Sequence, residues 1–167
     1  MLIGILAVSD SHSGLSYMLR CAEVLKPDVI IHLGDHYDDG EVLRDACPNA
    51  RVYLLPGNCD RYRAPAWVPE ILTDTLDGVN LYMTHGHRHS VKSTLRPLLA
   101  DARAAGSQIV LYGHTHVPYC HREEDGLWVM NPGSCGYYGG SAGLIELRDG
   151  RINLCRLIKA ADLEEFV

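Results

Sequence analysis

The residues with chemistry to offer stand at the ends of apolar runs. Ile109-Val110-Leu111-Tyr112 stops abruptly at Gly113-His114-Thr115-His116, and four other stretches follow the same grammar. Ile3 to Val8 runs into Ser9-Asp10-Ser11-His12, and Val29 to Leu33 into Gly34-Asp35. Val52 to Leu55 leads through Pro56 to Gly57-Asn58-Cys59-Asp60, and Val79 to Thr84 stops at His85-Gly86-His87. Each run reads as a buried strand. In extended chain His114 and His116, two apart, project toward one side, and Gly113 leaves room for a close approach to the backbone. Taken singly the pieces are bland: Asp10 or Asp35 reads as a helix cap, Asn58 as a turn residue, His85 as a core histidine. Those readings do not account for five such ends in succession. Ligands gather outside the carboxyl ends of strands in sheets flanked by helices, so five strands would feed one site.

Asp, His and Asn are donors for divalent cations. The candidate metal ligands are Asp10, His12, Asp35, Asn58, His85, His114 and His116. Seven donors exceed one catalytic site, whereas two ions sharing the carboxylate of Asp35 would have four donors each. A pair of ions about 3.5 to 4 Å apart can activate a water and neutralise a phosphoryl group during in-line displacement. Nitrogen and oxygen donors without thiolate suit manganese, nickel, zinc, iron or cobalt without choosing among them, and manganese is the leading expectation.

The remaining chain must hold these ends together. Leu15, Met18, Leu19, Ala22 and Leu25 share one face of a helix that Ser13 would cap and Pro27 would end. Asp39 to Ala46 predicts a short helix that stops before Pro48. Arg61 to Pro69, with Trp67, reads as a loop over the Asn58 region. Asp77-Gly78, Asp125-Gly126 and Asp149-Gly150 are hairpin signals, which makes the carboxyl-terminal part antiparallel in contrast to the first half. Leu95, Leu98, Leu99, Ala102 and Ala105 form the stripe of another helix. Pro97, tolerated only in a first turn, puts its start near Thr94, and Gly106 closes it. Residues 160–167 are an acidic stretch with no readable role. The pattern is that of two packed sheets, mixed parallel and antiparallel, with helices outside.

Composition agrees with an ordinary globular protein: 167 residues, 47% hydrophobic and 22% charged. One domain over residues 1–167 is expected, burying about 70% of the unfolded chain's surface. The six cysteines are scattered without a CxxC pair, and the apolar start lacks a basic leader, which together suggest a reduced, cytoplasmic protein. No run approaches the roughly 18 apolar residues of a membrane span. A net charge of -6 argues against binding nucleic acid through a broad basic face. Divalent cations would restore local positive charge for an anionic substrate.

In this order, Asp10-Ser11-His12, Gly34-Asp35, Gly57-Asn58-Cys59-Asp60, His85-Gly86-His87 and Gly113-His114-Thr115-His116 resemble the motif set of the calcineurin-like metallophosphoesterases. The likeness is greatest to the small single-domain bacterial and archaeal phosphodiesterases of that superfamily. Asn131-Pro132-Gly133-Ser134 matches a further block, and the resemblance spans roughly residues 1 to 157. It implies a four-layered α/β/β/α sandwich. It also implies one metal held by Asp10, His12, Asp35 and His116, and a second by Asp35, Asn58, His85 and His114. The implied activity is hydrolysis of a small phosphodiester by water activated at a dinuclear divalent-metal centre. A phosphomonoesterase, or an interaction scaffold similar to the retromer subunit of this fold, stands as the alternative, and a homo-oligomer is left open.

Two departures stand out. Relatives often carry His where this chain has Cys59, an imidazole thought to protonate the leaving oxygen or steady the phosphate. His87 is the candidate catalytic replacement, and Asn58 and Cys59 are candidates for phosphate binding. Without that imidazole, substrates whose leaving group departs unprotonated, such as aryl phosphodiesters, are favoured. After Ser134, relatives often show Pro with a basic residue, whereas this chain has Cys135-Gly136-Tyr137-Tyr138-Gly139-Gly140. Tyr137 and Tyr138 would pack or stack on substrate. Of the other histidines, His32 reads as structural, and His36, His89 and His121 as solvated or adjacent to the ligands. Arg61 and Arg63 read as solvated, within reach of a phosphate.

Overall fold

The computed structural model describes residues 1–12 and 14–167, so the expected cap Ser13 lies outside the described residues. One sheet is built on three parallel strands, β1 (Leu2–Val8), β2 (Val29–His32) and β3 (Arg51–Leu54). Its other side is an antiparallel hairpin, β9 (Ser141–Arg148) and β10 (Arg151–Lys159), giving the order β10-β9-β1-β2-β3. The second sheet contains β4 (Ile71–Leu76), β5 (Val79–Thr84), β6 (Ile109–Leu111), β7 (Tyr119–Arg122) and β8 (Trp128–Asn131), in the order β4-β5-β6-β8-β7.

The alternation of side chains explains the layers. Ile5 and Ala7 of β1 face the core between the sheets, with Ile31, Leu81, Met83, Leu111 and Ile145. Leu6 and Val8 face the opposite way, toward Met18, Cys21 and Leu43 of the helices α1 (Leu15–Leu25) and α2 (Tyr37–Ala46). Tyr82, Val110 and Val129 on the outer face of the second sheet meet Leu98 and Ala102 of α3 (Arg96–Ala104). Strands apolar on both faces are what a sheet covered on both sides requires. The result is the expected four-layered α/β/β/α sandwich of two mixed sheets.

Element boundaries differ from the sequence reading for local reasons. α2 starts at Tyr37 rather than Asp39 because the carboxylate of Asp60, distant in sequence, accepts the Tyr37 N–H at 2.9 Å. α3 starts at Arg96, close to the expected start near Thr94, with Leu95 at the N-cap position and the Thr94 hydroxyl accepting the Arg96 N–H at 3.2 Å. The expectation of an antiparallel carboxyl-terminal part needs correction. The three Asp-Gly turns do close hairpins, yet β8 runs parallel to β6 on its other side, and β9 and β10 join the first sheet beside β1. A turn dictates only the partner it connects, and burial decides the neighbour on the far side. Residues 160–167 also gain a role: a 3-10 helix over Ala160–Phe166 packs against α1 and buries Leu163. One leucine in an acidic stretch is too sparse a pattern to announce that. All six cysteines are free. Among the described residues no helix is long and apolar enough to cross a membrane.

Candidate metal centre

The loops leaving β1, β2, β3, β5 and β6 converge at one end of the sandwich. Asp10, His12, Asp35 and His116 each offer a donor atom within 4.8 Å of all the others, and Asp35, His85 and His114 do the same. Asp35 belongs to both groups. Asn58 stands beside the second, its Oδ1 lying 3.1 Å from His85 Nε2. His114 and His116 reach different groups, contrary to the expectation that both project to one side. The chain there is not extended: φ is 69° at His114 and 61° at His116, both left-handed. Asp10, His12 and Asp35 are left-handed too, with φ of 50°, 34° and 58°. Such backbone is uncommon outside glycine, and Asp and His are among the residues that tolerate it.

The electrostatics are those of a site built for cations. His85 is fully buried, and its Nδ1 donates to the Leu33 carbonyl at 2.8 Å. That bond fixes a proton on Nδ1 and turns Nε2 toward Asp35 Oδ2 at 3.5 Å and Asp10 Oδ1 at 3.8 Å, and these two carboxylates raise the pKa of the ring against the effect of burial. Burial works to raise the Asp10 pKa, but the contact with His12, the charge of His85 and the Ser9 hydroxyl outweigh it and hold the carboxyl below its ordinary range. Asp35 is also pulled down, since burial is overcome by His85 and by the Cys59 N–H, which it accepts at 2.9 Å. Burial, then the charges of His85 and Lys92, push His114 down to about 4, so its imidazole is neutral with a lone pair to give at pH 7. Asp10 raises the pKa of His12 against the effect of burial.

Two atoms decide whether a metal fits. Asp10 Oδ2 accepts the Ser9 hydroxyl at 2.6 Å and the His114 N–H at 3.0 Å. Its Oδ1 has no hydrogen-bond partner among the described residues, and neither does His12 Nε2, although both atoms are buried. The nearest nitrogen to that carboxylate oxygen is His116 Nε2 at 3.2 Å, without hydrogen-bond geometry, and a cation held between the carboxylate and the imidazoles removes the cost of an unbonded buried oxygen. The donor set fits divalent metal.

Residues outside the ligand set hold the loops. Asn131 Nδ2 donates to the Gly113 carbonyl at 3.0 Å and to Thr115 Oγ1 at 2.9 Å, while its Oδ1 accepts the Gly133 N–H at 2.8 Å. Ser134 Oγ donates to the Asp10 carbonyl at 2.7 Å. The Asn131 to Ser134 block is therefore a brace between the Asp10 and His114 loops. Asp60, buried, ties the Gly57 N–H to the first turn of α2. A Cβ on Gly113 would collide with Ser9 Oγ and Asp10 Oδ2, and one on Gly57 with Asp35 Oδ1, so both glycines let backbone approach a carboxylate. Ser9, Thr115 and Asp60 stand inside the motifs quoted from the sequence but have no role there, because a single short polar residue in a loop carries no spacing signal.

The other candidates are placed as follows. The His87 ring centroid is 5.5 Å from that of His85, and its Nε2 is 3.5 Å from Glu70 Oε1. Burial and the charge of His85 lower its pKa. Cys59 is exposed; burial of its thiol and the charge of Asp35 raise its pKa, so it stays protonated at neutral pH. Tyr137 stacks on His116, centroids 5.3 Å apart with a 19° interplanar angle. The loop that lacks a basic residue thus supplies an aromatic wall. His32 is fully buried, as expected of a structural residue, and His36 lies beside His12 with ring centroids 4.6 Å apart. His89 is neither solvated nor beside a ligand. It is buried between β5 and α3, its Nε2 3.2 Å from the Tyr82 hydroxyl and 3.0 Å from Asp101 Oδ2.

Residues 1–149 match the calcineurin-like phosphoesterase superfamily domain, and the chain belongs to that superfamily. It is 30% identical over 156 residues to a phosphodiesterase of Methanocaldococcus jannaschii, covering 84% of this chain and 88% of that protein. Among solved structures, a Streptococcus pneumoniae protein described as a predicted phosphoesterase superimposes with a TM-score of 0.74 at 23% identity, covering 95% of this chain and 98% of that one. Vacuolar protein sorting 29 of Cryptosporidium parvum shares the fold at a TM-score of 0.67 and 17% identity, covering 95% and 98% of the two chains.

Proposed function

We propose that the chain, as a single domain over residues 1–167, is a metal-dependent phosphodiesterase that works with two divalent cations sharing Asp35. One observation carries the reading: Asp10 Oδ1 and His12 Nε2, both of the donor group that shares Asp35 with the second, are buried without hydrogen-bond partners among the described residues. Asp10, His12, Asp35 and His116 would hold one ion, and Asp35, Asn58, His85 and His114 the other. When bound, the ions supply Lewis acidity, activating a water for attack and neutralising charge on the phosphoryl oxygens.

The side chains do the remaining work. Asp10 and Asp35, held ionised, set the negative charge that fixes the cations, and the Leu33 carbonyl keeps His85 in its ligating tautomer. Attack on phosphorus by the water oxygen breaks the bond to the leaving oxygen on the opposite side. His87 stands closest to the role of proton donor to that oxygen, and its lowered pKa leaves it neutral at pH 7. A neutral imidazole steadies a leaving oxygen by a hydrogen bond and protonates it poorly, which favours aryl over alkyl esters. The Asn58 amide and the Cys59 thiol, an uncharged donor, face a bound phosphate.

The test is reconstitution of chelator-stripped protein with manganese, nickel, zinc, cobalt or iron, counting bound metal and assaying an aryl phosphodiester, the matching monoester and an alkyl diester. Two metals per chain and preference for the aryl diester are expected. Asp35→Asn, which keeps an acceptor for the Cys59 N–H, should lower activity by more than about 100-fold, beyond the usual loss for a residue that only orients a ligand. Preference for the monoester makes the protein a phosphatase. Two bound metals without turnover of any phosphoester leave a scaffold.

A further inference from the structure

Beside the candidate metal centre lies a cavity of about 650 Å³, the size of a small-molecule site. Asn58 and His87 stand on its wall, so it opens onto the position of the scissile bond. The loop that begins at Arg61 also lines it, with Ala64, Pro65, Ala66 and Val68 supplying an apolar stretch of wall.

The charges in the cavity are not equivalent. Arg88 donates to Glu70, and Glu70 also faces His87 Nε2 at 3.5 Å, so that guanidinium is already neutralised. Arg63, on the same loop, is spent outside the cavity, its Nε 3.4 Å from Asp38 Oδ1 and its NH1 donating to the Cys59 carbonyl at 3.0 Å. Arg61 lines the cavity, and among the described residues no carboxylate pairs with it; its guanidinium lies 5.5 Å from the centroid of the exposed Tyr62 ring. In an acidic chain of net charge -6, Arg61 thus stands in the cavity without a carboxylate partner among the described residues. The one other carboxylate on the lining besides Glu70, that of Asp60, is taken by the Gly57 and Tyr37 N–H groups.

Resting on the phosphodiesterase reading above, we infer that this cavity receives the leaving arm of the diester, and that the arm it suits has an apolar body ending in an anionic group that pairs with Arg61. His87 on the wall places the leaving oxygen at the mouth, Ala64 and Val68 cover the body of the arm, and Arg61 meets its charged end. Arg61 is a specificity residue, remote from the reacting atoms.

The test uses the metal-loaded protein and two chromogenic diesters, methyl para-nitrophenyl phosphate and the analogue bearing a carboxylate on the nitrophenyl ring. The wild-type protein should show a KM about tenfold lower for the carboxylated arm, the worth of one charge-assisted contact. Arg61→Gln should abolish that advantage with kcat unchanged for both substrates, and Val68→Trp should raise KM for both by filling the cavity. Equal KM values in the wild-type protein, a KM change of the same size on both substrates in Arg61→Gln, or an unchanged KM in Val68→Trp overturns the inference while the phosphodiesterase reading stands. No turnover of either diester by the wild-type protein defeats both.

Discussion

The two ends of the sheets use the same unusual backbone for opposite purposes. At one end Asp77-Gly78 turns β4 into β5 and Asp149-Gly150 turns β9 into β10, with φ of 46°, 78°, 52° and 74°. A two-residue hairpin needs left-handed residues to match the twist of its strands, and Asp-Gly provides them at low cost. At the other end Asp10, His12, Asp35, His114 and His116 are also left-handed, and no hairpin requires it. Each such residue costs on the order of 1 kcal/mol. The surrounding braces of Asn131, Ser134 and Asp60 hold that backbone in place, and what it achieves is the aim of the donor atoms. At the turn end conformation serves the chain path; at the metal end the chain path serves the side chains.

The sharpest way to break the comparison is to add one methyl group at each end. In Gly113→Ala the new Cβ collides with Ser9 Oγ and Asp10 Oδ2, which must move. Activity should fall by about 100-fold or more, as a displacement near 1 Å does at a reacting centre. Stability should fall by about 1 to 3 kcal/mol. In Gly150→Ala the Cβ meets only the Asp77 carbonyl oxygen, at 3.9 Å, and the cost is that of a left-handed alanine, about 1 kcal/mol. Its phosphodiester turnover should equal that of the unaltered protein. Denaturant unfolding and steady-state assay of both variants decide, and equal activity in the two would show that the glycine cradle does not position Asp10.

A brace that touches no metal sharpens the same contrast. Asn131→Ala removes bonds to the Gly113 carbonyl and Thr115 Oγ1 and leaves the Gly133 N–H unpaired. Apparent metal affinity should drop about 10- to 100-fold, the usual loss when a residue supporting a ligand is removed. Folding stability should drop by roughly 2 kcal/mol. Calorimetric metal titration separates the two effects, since an unchanged isotherm with lowered stability would make Asn131 a packing residue.

The ease of reading each region from sequence follows the same division. The hairpins were legible because their turn chemistry is local, and two packed sheets with helices outside because the strand running to Leu33 is apolar on both faces, whereas the four-layered order followed from the family resemblance. The candidate donors were legible because they stand at strand ends. Their backbone was not: extended geometry at His114 and His116 was a fair reading of two alternate positions, and the left-handed turns that send them apart depend on Asp10 and Asn131, about 100 and 15 residues away. The start of α2 at Tyr37 and the brace at Asp60 are likewise set by contacts across more than twenty residues. Leu163 was missed because burial of one side chain leaves no period.

The smallest expected difference between the ends is in acid. His32 closes β2 beneath the metal loops, fully buried, with its Nδ1 accepting the Gly34 N–H at 3.2 Å and its Nε2 3.3 Å from Ser11 Oγ. Burial lowers its pKa to about 4, against the opposing pull of Asp60, Asp10 and Asp39, so the folded protein holds it neutral. The unfolded chain, with an ordinary pKa of about 6.5, takes up a proton first as pH falls. The stability His32 contributes is thus complete above about pH 6.5 and lost progressively toward pH 4, amounting to about 2 kcal/mol by pH 5. Metal-free protein removes the competing loss of ions, and His32→Asn keeps an acceptor for the Gly34 N–H while abolishing the titration. The variant should be less stable at pH 8, yet its stability should decline less between pH 7 and 5 than that of the unaltered protein. The other groups at this end titrate in both proteins, so the difference between the two curves belongs to His32. Parallel curves over that range would mean that the buried ring accepts a proton without penalty, and the metal end would then tolerate acid as well as the hairpin end does.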